Sequence, residues 1–235
     1  DNPLIVHVKD YEMINLVCKD INEIEKKLID YFMPGPFTLV LKKKDIIPNI
    51  VSANLDTIGV RIPNNKIAIE ILKATNLPIA APSANISSRP SGTQLSDIVD
   101  EFKDSIEYFI DGGLSTIGIE STVCQVIDGI PTILRPGKIT EDDIKNLIGV
   151  VKVDDHVFKK ASGVVKSPGM KYKHYAPNSK CLLVFSEDET KMIDLIKSKT
   201  DLSTIIIGFD EHKDLFKCKK FYNISRKDDL DIYSQ

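Results

Sequence analysis

Apolar and polar positions along this chain alternate between two rhythms, one of period two and one near 3.6, and they predict an alternation of strands and helices. The run Leu4-Ile-Val-His-Val8 is short, apolar and β-branched, and predicts a strand with His7 near its exit. Across residues 11–31, Ile14, Val17, Ile21, Ile24 and Leu28 recur at helical spacing until Pro34-Gly35-Pro36 interrupts the pattern. Residues 37–41 and 57–62 then read as strands around a loop containing Pro48. A helix over 65–73 leads to a strand over 78–81, which opens into a loop rich in Pro and Ser over 82–92. Thr93 or Ser96 is the expected cap of a helix reaching Phe102. Strands follow over 107–110, 122–127 and 132–134, the last two joined by an Asp128-Gly129 hairpin turn. Thr140-Glu-Asp-Asp143 carries the cap and early acidic residues of a helix running to about Leu147.

Periodicity then fades. Residues 150–180 contain Ser-Gly, Ser-Pro-Gly and Ala-Pro, the composition of a linker. Beyond it, a strand over 181–185, a helix over 187–199 and a strand over 203–208 make one βαβ unit. The expected organisation is a first α/β domain over 1–149, a linker or lid over 150–180 and a smaller α/β domain over 181–235. A single βαβ unit is marginal alone, so the second domain is expected to be incomplete.

Charge and cysteine usage narrow the function. With 31 basic and 34 acidic residues the net charge is −3, which provides no bulk field for holding a nucleic acid by counterion release. Strong non-specific nucleic-acid binding is therefore not expected. Cys18, Cys124, Cys181 and Cys218 show no metal-ligand spacing and read as reduced thiols of a cytoplasmic protein. No apolar stretch approaches the roughly 20 residues that a membrane span needs. Neither a phosphate-binding glycine motif nor a serine-hydrolase elbow or zinc-protease pair is present.

Three segments leave predicted strands with small or polar residues able to face a cleft: Ala80-Ala-Pro-Ser-Ala-Asn85, Ile119-Glu-Ser-Thr-Val123 and Leu134-Arg-Pro-Gly137. Hydroxyls and loop amides suit phosphate oxygens, and an arginine fork suits a carboxylate or phosphate. Ser83 and Asn85 fit local turn bonding as well as ligand contact. Arg61 lies within an otherwise apolar strand, where its donors require either an anion or an internal salt bridge. His7 reads as a satisfied histidine or as a ligand group. Ser167-Pro-Gly-Met-Lys-Tyr-Lys-His-Tyr-Ala-Pro177 concentrates aromatic and basic residues in the linker, as a surface-docked segment or a closing arm.

In order and spacing, Asn2-Pro-Leu-Ile-Val-His7, Gly59-Val-Arg-Ile-Pro63, Ala81-Pro-Ser-Ala-Asn85, Glu120-Ser-Thr-Val123, Leu134-Arg-Pro-Gly137 and the linker word together resemble the two-domain Sua5 branch of the YrdC/Sua5 family. The resemblance implies a twisted mixed sheet with helices around a concave cavity, plus a smaller Rossmann-like C-terminal domain. It implies a synthase joining L-threonine, bicarbonate and ATP into threonylcarbamoyl-adenylate, with Mg2+ accompanying ATP and no tightly bound metal or organic cofactor. The expected recipient is the tRNA threonylcarbamoyl transferase machinery. By matching position, His7, Arg61, Ala81 and Ser121 would contact threonine. Thr57, Ser83, Asn85, Ser91, Arg135, Tyr172 and Tyr175 would line the ATP side, with the segment around the two tyrosines as a lid. No general base is assigned. The resemblance also implies an upstream strand and helix bearing a threonine contact and a Lys-x-Arg pair for phosphates, which would precede Asp1. Rival expectations are an RNA-binding module of the same fold and a carbamoyl-phosphate-processing enzyme.

Overall fold

The computed structural model describes residues 2–87, 89–157, 179–224 and 226. The chain divides into two units, Asp1–Ala176 and Pro177–Gln235. The first is built on a mixed seven-stranded sheet of order β4-β1-β3-β2-β5-β6-β7. Its strands are β1 (Ile5–His7), β2 (Phe37–Lys42), β3 (Thr57–Arg61), β4 (Ile79–Ala81), β5 (Thr122–Ile127), β6 (Ile130–Arg135) and β7 (Lys152–Val153). The helices are α1 (Tyr11–Val17), α2 (Glu23–Phe32), α3 (Lys66–Thr75), α4 (Leu95–Phe102) and α5 (Glu141–Ile148).

Alternation along the strands sends the two faces of the sheet to different fates. Phe37, Leu39 and Leu41 of β2, Ile58 and Val60 of β3, Val6 of β1 and Cys124 of β5 join one core with Met13 and Ile14 of α1, Leu28 and Ile29 of α2, and Ile144 of α5. Full burial of each large side chain there contributes about 1.5–3 kcal/mol. The residues between them face the other way, where, among the described residues, Val40, Val123 and Leu134 form a small apolar floor. Helices therefore cover one face, and the opposite face is left for the site.

Local chemistry explains most boundaries. The helical rhythm over 11–31 is broken into two helices because α1 ends at Val17 and Asn22 starts a new one. Asn22 accepts from the Ile24 and Glu25 amides while Glu25 reaches back to the Asn22 amide, a capping box inside the periodic stretch. Asp20, at φ 58°, turns the chain between the helices. Thr140 and Asp143 form a second capping box at α5, and Gly149 at φ 92° ends that helix. The Asp128-Gly129 turn has φ of 51° and 77°, as the hairpin between β5 and β6 requires.

Other expectations are corrected. Neither Thr93 nor Ser96 caps α4; its N-cap is Gln94, whose side chain makes no cap bond, and Asp97 instead accepts from the Thr93 amide at 3.3 Å. Residues 107–110 form no strand, because no neighbouring strand takes up their backbone groups. Tyr108 and Ile110 are left exposed there. Residues 152–157, expected in the linker, add β7 in parallel to β6 and a 3-10 turn.

In the second unit, residues 181–185 form no strand; Leu182, Leu183 and Phe185 are exposed. The helix α6 (Glu189–Lys199) and β8 (Ile205–Gly208) are present, and β8 pairs in parallel with a further strand, β9 (Lys220–Asn223), beyond the expected βαβ unit. Between them His212 is buried with its Nε2 2.8 Å from Glu189 Oε1.

Candidate active site

Strand register gathers several of the sequence candidates onto the open face. Cross-strand partners share a face. His7 of β1 lies opposite Arg61 of β3, and Ile5 opposite both Gly59 and Ala81. Thr57, Gly59 and Arg61 alternate along β3, so His7, Ala81, Thr57 and Arg61 all fall on one side. On β5 and β6, Val123 pairs with Arg135 whereas Cys124 pairs with Ile133. Leu134 is therefore an extra residue, and this bulge re-aims Arg135 onto the face it shares with Val123.

The two arginines are held by backbone carbonyls. Arg61 Nε donates to Gly35 O at 2.9 Å, and the Gly35 amide donates to Ile62 O at 3.0 Å, so the Pro34-Gly35-Pro36 turn clamps the end of β3. Gly35 is needed for the closeness of that turn, since a Cβ there would run into the Phe32 carbonyl oxygen. Arg135 Nε and Nη2 donate to Ser121 O at 3.1 and 2.9 Å, and Nη2 also donates to Ser121 Oγ at 3.0 Å. Ser121 Oγ in turn lies 2.8 Å from Thr38 Oγ1, a wholly buried hydroxyl on β2. Gly137 allows this packing: a Cβ there would lie 2.5 Å from both Glu120 O and Thr122 N and 2.8 Å from Ser121 C.

Electrostatics mark the face as built for negative charge. Burial, and then the nearby Arg135 guanidinium, pull the Arg61 pKa below its ordinary value. Among the described residues no carboxylate lies within 4.0 Å of Arg61, so the internal salt bridge considered from sequence is not formed. His7 is also lowered, by burial first and then by Arg61, against the opposing pull of the Ile79 and Ile5 carbonyls. Its Nδ1 is buried and makes no hydrogen bond. An imidazole whose pKa is held down beside the Arg61 guanidinium leaves the positive charge to the arginine.

The other candidates form a separate network. Asn85 Nδ2 donates to Ile86 O and Arg89 O at 3.0 and 3.1 Å, and Asn85 Oδ1 accepts from Ser91 Oγ at 2.9 Å. Glu101 accepts from the Ile86 amide. Asn85 thus spends its side chain organising the loop after β4, and Ser91 is tied to it. Ser83 is exposed at the start of this loop. Tyr172 and Tyr175 lie outside the described residues. Thr38 is not among the residues that the sequence singles out, and Gly35 and Gly137 enter there only within the Pro34-Gly35-Pro36 and Leu134-Arg-Pro-Gly137 words; a lone hydroxyl in the apolar strand Phe37-Thr-Leu-Val-Leu41 is the available signal for Thr38.

Among the described residues no cluster of His, Cys, Asp and Glu side chains is arranged to hold a metal ion. Cys18 and Cys124 are buried free thiols, each pushed up to about 12 principally by burial. A concavity of about 280 Å3 lined by Tyr31, Asp143, Asn146 and Leu147 lies on the helical side, where no two cations converge. No helix among the described residues is long and apolar enough to cross a membrane.

Fold and site together define an α/β protein with helices on one sheet face and a cationic, hydroxyl-bearing opposite face suited to small anions. The chain belongs to the Sua5/YciO/YrdC family: residues 1–137 match that family, described as Telomere recombination, and residues 139–235 match the threonylcarbamoyl-AMP synthase C-terminal domain. It is 41% identical over 184 residues to threonylcarbamoyl-AMP synthase of Pyrococcus abyssi, a match spanning 78% of this chain and 54% of the relative. The Bacillus subtilis threonylcarbamoyl-AMP synthase is 41% identical over 180 residues, 76% of this chain and 52% of the relative. The chain thus spans about half the length of the curated relatives it matches. The crystal structure of P. abyssi Sua5 complexed with L-threonine superposes with a TM-score of 0.86 at 35% identity, covering 95% of this chain and 66% of that one.

Proposed function

We propose that this chain carries the synthase site of a threonylcarbamoyl-AMP synthase, converting L-threonine, bicarbonate and ATP into threonylcarbamoyl-AMP, pyrophosphate and water. The carrying observation is the convergence of Arg61, Arg135 and Ser121 on the open face, with Arg61 lacking a carboxylate partner among the described residues. An amino-acid carboxylate supplies the missing anion and relieves the repulsion between the guanidiniums. The names of the relatives, and the L-threonine complex of P. abyssi Sua5, support the same substrate.

On this reading Arg61 holds the threonine carboxylate, with His7, Ala81 and Ser121 around it. Thr57, Ser83, Ser91 and Arg135 face the ATP side, and Asn85 sets the loop that carries Ser91. The threonine amine forms an N–C bond to the carbon delivered by bicarbonate, with loss of water. A carbamate oxygen then attacks the α-phosphorus of ATP as the bond to pyrophosphate breaks. Both steps spread negative charge over oxygens, which two fixed cations stabilise without a protein nucleophile. A Mg2+ ion would accompany the ATP phosphates. The product then serves a tRNA threonylcarbamoyl transferase, in the cytoplasm.

Calorimetric titration of L-threonine into the wild-type chain and Arg61→Ala tests the assignment. Loss of a charge-assisted pair is expected to weaken binding by about 10- to 100-fold. Equal affinity in both proteins would sink it.

A further inference from the structure

We propose that Thr38 is a positioning residue of this site, fixing Ser121 as a hydrogen-bond donor toward the substrate; this rests on the reading that Ser121 contacts threonine. Thr38 lies in β2 with no exposed surface, and its hydroxyl has Ser121 Oγ, at 2.8 Å, as its single partner among the described residues. Either hydroxyl can donate in this pair; Thr38 is taken as the donor because it is wholly enclosed, whereas Ser121 keeps 3 % of its surface exposed and can turn its own proton elsewhere. Arg135 Nη2, which has no acceptor capacity, donates to the same oxygen at 3.0 Å. Both lone pairs of Ser121 Oγ are then filled.

Its own proton is left in the remaining tetrahedral direction, away from Thr38 and Arg135. Ser121 consequently offers a donor and cannot act as an acceptor. The group it meets is an oxygen with free lone pairs, such as a carboxylate or the carbamate oxygen formed from the threonine amine. The Thr38 methyl fills the space beside Gly59, where an added Cβ would sit 3.0 Å from Thr38 Cγ2.

The proposal separates hydroxyl from shape. Thr38→Val keeps the volume and removes the donor, whereas Thr38→Ser keeps the donor and removes the methyl. In ligand-free crystals of the full chain, Ser121 is expected to occupy more than one rotamer in Thr38→Val and a single one in Thr38→Ser. A single unchanged rotamer in Thr38→Val overturns the proposal whatever the substrate is. In L-threonine titrations, Thr38→Val is expected to weaken binding about tenfold and Thr38→Ser to stay within about twofold of wild type. In a Ser121→Ala background, Thr38→Val should cost nothing further, because its target is gone. An equal cost in both backgrounds also overturns the proposal. Absence of L-threonine binding in the wild-type chain would remove the assigned substrate, while the rotamer measurement would still decide the role of Thr38.

Discussion

Gly137→Ala adds one methyl group at the point where two loops of the site touch through their backbones. The new Cβ would lie 2.5 Å from Glu120 O and from Thr122 N, against the roughly 3.5–4.0 Å of unstrained contacts. The loops must separate by about 1 Å, and neither contacting atom is the mobile end of a side chain. The Thr122 amide bond to Pro36 O, 2.9 Å long, and the Arg135 bonds to Ser121 O lie in the path of that shift. Overpacking of this kind costs about 1–3 kcal/mol, which lowers the melting temperature by about 2–12 °C for a domain of this size. Misplacing a substrate contact by about 1 Å costs around 100-fold in catalysis. Activity should therefore fall much further than stability. Differential scanning calorimetry beside L-threonine titration separates the two effects. Wild-type melting and wild-type affinity in Gly137→Ala would refute the packing argument.

Further outcomes follow from the same geometry. The folded His7 resists protonation, so between its lowered pKa and the ordinary 6.5 the unfolded chain carries a proton that the folded chain does not. Stability is full above about pH 6.5 and declines as pH falls through that window; melting temperatures from pH 7.5 to 5.5 should drop less in His7→Asn than in wild type. Asn85→Ala removes the bonds that organise the loop to Ser91. It should weaken ATP binding while leaving L-threonine affinity within about twofold by titration. Thr140→Ala deletes the capping box of α5, whose Ile144 packs into the core on the other face of the sheet. It should cost about 1 kcal/mol of stability in a denaturant titration, with pyrophosphate release unchanged.

The sequence was most informative where local chemistry decides the outcome. Asp128-Gly129 and the Thr140 box were legible because a turn and a cap depend on a few adjacent residues. Residues 107–110 and 181–185 carried strand-like composition, but a strand exists only with a neighbour to bond, and that neighbour is a tertiary fact. Asn22-x-x-Glu25 was visible yet outweighed by the longer apolar rhythm around it. In the site, Arg61 stood out as a cation in an apolar strand, and the register brought His7, Thr57 and Ala81 to its face. The Thr38 link to Ser121 crosses 83 positions of sequence, and the bulge that re-aims Arg135 arises from pairing, so neither could be read along the chain. Asn85 shows the converse: a polar residue in a ligand-like word whose side chain is spent on its own loop.

Pyrophosphate release by the protein that carries this chain, measured with Mg-ATP while L-threonine and bicarbonate are each present, absent or replaced, tests the central claim most directly. Release that requires both, falls when serine replaces threonine, and is lost in Arg61→Ala is the predicted result. Release independent of threonine, or undiminished by Arg61→Ala, would contradict the assignment of the cationic face.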